Sequence, residues 1–290
     1  MKKYLLVVFA LTLALTVNVG AQNLETLTGS VSIGGIPKYT HRIWADTSLL
    51  GGNGEISYKW IRGTSTTIGT GVYYDITAAD IRQTIKVEVS RSENKGTKTS
   101  PAVTPAFHKI GDEGPAGGIV FYDDSIQGEW FQSGRRFMEI AAQDVSASLP
   151  WGLNNVDIDG PGSQIGNGKT YHDTVIKAGA GAGTAAGACE SYSVTLYNGE
   201  QWQRTFTDWF LPGLGEMTCM MTYQTKESNP YSELTYNNNN PGLEGKYWTS
   251  YSSDTTQAYF MGFFPESHEN YGAILDNRTA QNKVRAIRWF

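Results

Sequence analysis

Cysteine is nearly absent from this chain: two residues, Cys189 and Cys219, in 290. Two thiols cannot build a structural zinc site alone. The four histidines (His41, His108, His172, His268) are scattered, with no HExxH run and no paired spacing, which speaks against metal catalysis. No glycine-rich stretch ends in GK[ST], so nothing marks a phosphate loop. Positive charge is also short. The formal charge is -5, and removal of Lys2 and Lys3 would make it -5 - 2 = -7, which argues against a nucleic-acid or general polyanion binder held by bulk charge. Long apolar runs are missing after the first segment. Nothing there approaches the roughly 20 residues needed to cross a bilayer, so the mature chain is expected to be soluble, with no transmembrane segment.

That first segment, MKKYLLVVFALTLALTVNVGA, has two lysines, an apolar run and small residues ending at Val19-Gly20-Ala21, the layout of a cleavable secretory signal over residues 1–21. No cysteine follows it to take a lipid. The protein is therefore expected to be exported, to a periplasm, a cell surface or the extracellular medium. In an oxidising compartment a Cys189–Cys219 disulfide is permitted; two thiols buried on helix faces are the alternative. Aromatic residues make up 12% and hydrophobic residues 40%, enough for real cores, and a mature length of this size fits two domains.

From about residue 24 to 104 the pattern is of short alternating strands. Ile56, Tyr58 and Trp60 fall on one face of "EISYKWIR", and Ile85, Val87 and Val89 on one face of "TIKVEVS", with turns such as "GGNG" between. This predicts an all-β sandwich over residues 22–105. "YYDITAADIRQTIKVEV" resembles the end of bacterial immunoglobulin-like surface modules, which implies an immunoglobulin-like sandwich acting as a spacer. "TSPAVTPAFHKIGDEGPAGG" then reads as a linker and an opening turn.

A second domain is expected over 106–290, beginning with the strand "GGIVFY" and ending with "KVRAIRWF". Val175, Ile176 and Ala178 suggest a short helix, followed by a glycine break and a second helical turn carrying Cys189. "IGDEGPAGGIVFY", "IGNGKTYHDTVI", "AAGAC", "DWFLPGLGEM", "YWTSYSSDTTQAYFM" and "VRAIRWF" follow in order the pattern of the DUF1566, or Lcl C-terminal domain, family. The resemblance spans about residues 107 to 290. It implies an α+β C-type-lectin-like domain whose first and last strands share a sheet. Where that family reads LPS-x-x-EL this chain has Gly213 at the helix cap and Glu216 three positions on, a capping-box arrangement that gives Glu216 a helix-starting role. Trp209 and Phe210 are expected under the sheet.

Three features are candidates for binding. "YSELTYNNNNPGLEGKYWTSYSSDTTQAY" is dense in Tyr, Trp, Asn and Ser, the mixture of recognition loops, and nominates Tyr236, Asn238, Asn240, Tyr247 and Tyr251, with Trp248 read as core. Lys283 and Arg285 share a strand face that could meet acidic glycans, with buried ion pairs as the plainer alternative for Arg285 and Arg288. Asn155, Asp157 and Asp159 alternate as in the first half of a calcium loop. Gly166 stands where the bidentate acid belongs, so calcium is the only cofactor suggested, and by an incomplete ligand set. The resemblance also points to a formylglycine-generating branch that uses a reactive cysteine pair. No Lys or Arg adjoins Cys189 or Cys219 in sequence to activate it, so a non-enzyme is expected. The resulting expectation is non-catalytic recognition of a glycan or a cell-surface protein. A structural role in an envelope assembly is the alternative, and an enzyme of that branch the second.

Overall fold

The structure is a computed structural model that describes residues 24–127, 135–160, 162–199, 202–224, 242–264 and 272–290. Strand outweighs helix throughout. The proposed signal segment lies outside the described residues, as do Tyr236, Asn238 and Asn240.

In the N-terminal part, the strand Arg42–Asp46 lies between Ser32–Gly34 and Tyr73–Asp75 in a three-stranded sheet. A four-stranded sheet runs Thr66–Gly69, Ile56–Arg62, Ile85–Arg91, Lys98–Thr99. Period-two alternation sends Ile43 and Ala45 from the first sheet, and Trp60, Val87 and Val89 from the second, into one shared core. Asp80, fully buried, ties down the turn between the sheets: it accepts from the Thr77 backbone (2.8 Å), Tyr74 Oη (2.8 Å) and Arg62 Nη1 (3.0 Å).

The expected linker is held by both parts. Past Pro105 the chain pairs back on the first module, with Tyr39 N–H donating to the Ala106 carbonyl (3.0 Å) and Ala106 N–H to that of Pro37 (3.1 Å). Phe107, Phe137 and Phe290 of the second domain pack with Tyr39 of the first. Lys38 and Asp112 form an ion pair across the same joint.

In the C-terminal part the first and last strands do not pair with each other but lie in one sheet on either side of Phe137–Ile140, Ile119–Asp123 on one edge and Ile287–Trp289 on the other. The terminal stretch is not one strand, however: Asn282–Val284 belongs to a different sheet, of order Ser146–Leu149, Asn282–Val284, Gly245–Ser252, Gln257–Phe263, Gly272–Asn277. Arg288 is the fixed point where the sheets meet. Its Nη1 reaches Glu139 and its Nε reaches Asp208 at 2.7 Å. Glu139 is fully buried and also accepts from the Ala116 and Gly118 N–H groups, pinning the "GPAGG" turn. Three helices fall where their signals predicted, at Gly168–Lys177, Ala185–Ser191 and Leu214–Gln224, while the short helix Asp124–Gln127 was not expected.

Candidate functional site

The hairpin Val194–Asn198/Trp202–Phe206 leaves the second domain and lies against the first module. Its register pairs Leu196 with Arg204 and Asn198 with Trp202, so Trp202, Arg204 and Phe206 share one face while Tyr197 and Gln203 share the other. Across from it, the same alternation that buries Ile43 and Ala45 turns Arg42 and Trp44 outward, beside Asp75 and Tyr73 of the neighbouring strand. Trp44 lies across Gly34. A Cβ there would sit 2.3 Å from the indole, so only glycine permits this pose.

Between these faces opens a cleft of about 180 Å³ whose walls include Trp44, Trp202, Arg42, Arg204 and Ile36. The two indoles lie 5.7 Å apart at 50°. The Arg42 guanidinium sits 3.7 Å from the centre of the Tyr73 ring and 5.5 Å from that of Trp202, within cation–π range of both.

Three charged side chains line the cleft, Arg42, Arg204 and Glu113. Arg42 Nε and Nη2 donate to both oxygens of Asp75 (2.8 and 2.7 Å), a bidentate pair, and Nη1 reaches the Gln203 carbonyl (3.3 Å). Arg204 makes one hydrogen bond among the described residues, from Nη1 to the Thr40 carbonyl (2.7 Å), and stands 3.6 Å from the already engaged Asp75. Burial, with Arg42 nearby, lowers its pKa, although a guanidinium stays charged in any ordinary buffer. Asp75 is thus held by Arg42, with Arg204 close by.

Thr40 itself has φ +63°, an uncommon conformation for a β-branched residue, and presents its carbonyl to Arg204 from there. Beneath it His41 and His108 stack with ring centres 5.0 Å apart. His41 Nε2 lies 3.3 Å from the Glu113 carbonyl, and His108 Nε2 lies 2.8 Å from that of Tyr39. Burial, then the neighbouring His108, pushes the His41 pKa down to about 4, so both rings are neutral at pH 7.

The residues nominated from sequence are dispersed. Tyr247 is not a surface contact, as expected above, but fully buried. Gly245–Ser252 is the central strand of its sheet, covered on both faces, so successive residues Tyr247 and Trp248 enter different cores. Burial and then Asp144 raise its phenol to about 12, and its hydroxyl lies 3.3 Å from Asp144 Oδ2. Tyr251 is half-buried, stacked on Tyr259 at 5.3 Å.

Arg285 is also buried rather than presented to solvent; its Nε lies 3.2 Å from Asp144 Oδ1, the ion-pair alternative. Lys283 reaches the same carboxylate at 3.9 Å and donates to the Glu244 carbonyl at 2.7 Å. These two cations are thus already drawn inward.

Asn155 has φ +63°, and Asp157 and Asp159 are exposed on either side of buried Ile158. The cation serving this turn is Arg278, fully buried over Trp151, whose Nη1 donates to the carbonyls of Leu153 and Val156 at 2.8 Å each. The carbonyls of Leu153 and Val156 thus serve a guanidinium. Among the described residues no three His, Cys, Asp or Glu side chains gather as metal ligands.

Cys189 and Cys219 are not joined in a disulfide: Cys189 is buried in the core that holds Trp151 and Trp248, and Cys219 packs against the other, with Met217. Burial pushes the Cys189 thiol well above its ordinary value. A thiol reagent should therefore label Cys189 at least about a hundredfold more slowly in the folded protein than in urea. Rapid labelling in buffer would reinstate a reactive cysteine.

The cleft itself went unseen in sequence, although its halves were visible. The alternation in "RIWAD" and "WQRTF" turns Arg and Trp to one face in each strand, but alternation names a face and not what it meets. No family model, curated protein or solved structure matches this chain.

Proposed function

We propose that this is an exported, non-catalytic recognition protein that binds carbohydrate in the cleft between its two modules. The carrying observation is the pair of indoles, Trp44 and Trp202, walling an open cleft. Flat aromatic faces suit the apolar C–H faces of a sugar ring, and rigid side chains lose little entropy in binding. At about 180 Å³ the cleft holds the equivalent of about six waters at ~30 Å³ each, well under the ~300 Å³ at which sites for drug-sized ligands begin. That size favours one ring of a chain over a compact oligomer.

For the fold, the proposal is an immunoglobulin-like sandwich followed by a DUF1566-type, C-type-lectin-like domain. It is supported by the two-sheet core of the first module and by the shared sheet of the second domain's end strands. Export rests on the character of residues 1–21.

The test is a glycan array probed with the mature two-module chain. Binding is expected, and Trp202→Ala should weaken it at least about tenfold, the loss of one stacking contact of ~1.4 kcal/mol. Binding that ignores Trp202 would move the site elsewhere. Silence on the array together with capture of a protein partner would favour the structural-assembly alternative.

A further inference from the structure

Arg204 is a partly exposed cation lining a cleft that Glu113 also lines, and the carboxylate it stands nearest as an ion pair, Asp75, already has both oxygens on Arg42. Its single described hydrogen bond uses Nη1 and goes to a neutral carbonyl, that of Thr40. The fork formed by Nε and Nη2 donates to nothing among the described residues. A planar group with two oxygens completes such a fork with two parallel hydrogen bonds. The guanidinium also lies 4.6 Å from the Phe206 ring centre, which limits how far it can swing away.

Resting on the carbohydrate reading above, we propose that the cleft selects an acidic sugar residue, a uronate, with its ring against Trp44 and Trp202 and its carboxylate on Arg204. The three parts of such a ligand match three features of one cavity. The ring face meets the indoles, the carboxylate meets the unfilled Nε and Nη2 fork of Arg204, and the volume admits one ring. Lys would not replace Arg204, because a point charge cannot hold a planar two-oxygen group in orientation. A bound carboxylate would also relieve the mutual repulsion of the two guanidinium groups. Asp75 keeps its role throughout: it fixes Arg42 over Tyr73 and leaves the second cation to the ligand.

The experiment is titration calorimetry on the mature two-module chain with three probes of equal length: a galacturonate oligomer, its methyl ester, and a sulfated neutral oligomer. The free acid is expected to bind at least tenfold more tightly than the ester, with affinity falling as salt rises. Arg204→Gln should erase that preference while leaving ester binding in place, and Arg204→Lys should recover less than half of it on a logarithmic scale. Thermal unfolding of both variants near that of the parent shows that the fold is intact. Equal binding of acid and ester overturns the uronate assignment while leaving carbohydrate recognition standing. A sulfated probe that binds more tightly than the uronate and ignores Arg204→Gln also overturns it. No binding of any probe, with the parent folded, overturns both.

Discussion

Replacing Glu216 by alanine is expected to destabilise the C-terminal domain by about 4 kcal/mol, the cost of removing one partner from a buried charged cluster. The carboxylate is fully buried and accepts from three backbone N–H groups: Gly213 (3.0 Å), Gly166 (2.8 Å) and Gly168 (3.1 Å). Burial pushes its pKa up, but three donors and no described acceptor hold it ionised, because a protonated carboxyl would aim its O–H at another donor. Alanine strands all three N–H groups away from water, each at about 1–3 kcal/mol before relaxation. Gln keeps one acceptor and turns an NH2 toward the remaining donors, so Glu216→Gln should cost roughly half as much. Calorimetry checks this: at about 2–4 °C per kcal/mol, the alanine variant should melt about 8–16 °C lower. A loss below 2 °C would mean that Glu216 does no more than the exposed cap it resembles in sequence.

Acidification is expected to weaken the protein well before its carboxylates titrate. The folded His41 has a pKa of about 4 against an ordinary 6.5. Between those values the unfolded chain takes up a proton that the folded chain refuses, so stability falls as pH falls. At 1.36 kcal/mol per pH unit the full loss is about 3 kcal/mol, most of it complete by pH 4.5. The cause is the joint. A proton on His41 would be buried against His108, with Lys38 and Arg204 close by. Burial also lowers the pKa values of His108 and His172, so their contributions have the same sign. Urea unfolding from pH 7 to 4.5 should therefore slope downward, and His41→Gln should remove His41's share of that slope. An unchanged slope in the variant would place the acid sensitivity elsewhere.

What could be read in advance was local. The capping relation of Gly213 and Glu216 spans three residues, and the helix at Gly168–Lys177 announces itself through Val175 and Ile176. The link from Glu216 to Gly166 spans 50 residues, and no pattern along the chain records it. Tyr247 misleads for a related reason. Its stretch alternates polar and aromatic residues as exposed loops do, yet its place at the centre of a five-stranded sheet buries both faces. Arg285 likewise needed Asp144, 141 positions earlier, to become a core residue. The cleft was hidden most completely, because each half belongs to a different module.

That division has a mechanical side. Because Trp44 and Arg42 stand on one module and Trp202 and Arg204 on the other, a guest of the proposed kind lying against them would touch both halves. Occupancy would then favour the joined arrangement by RT ln(1 + [L]/Kd), about 2.7 kcal/mol at a hundredfold excess over Kd. Under the proposed binding, parting the modules would require expelling the guest, so a filled cleft would favour the joined arrangement.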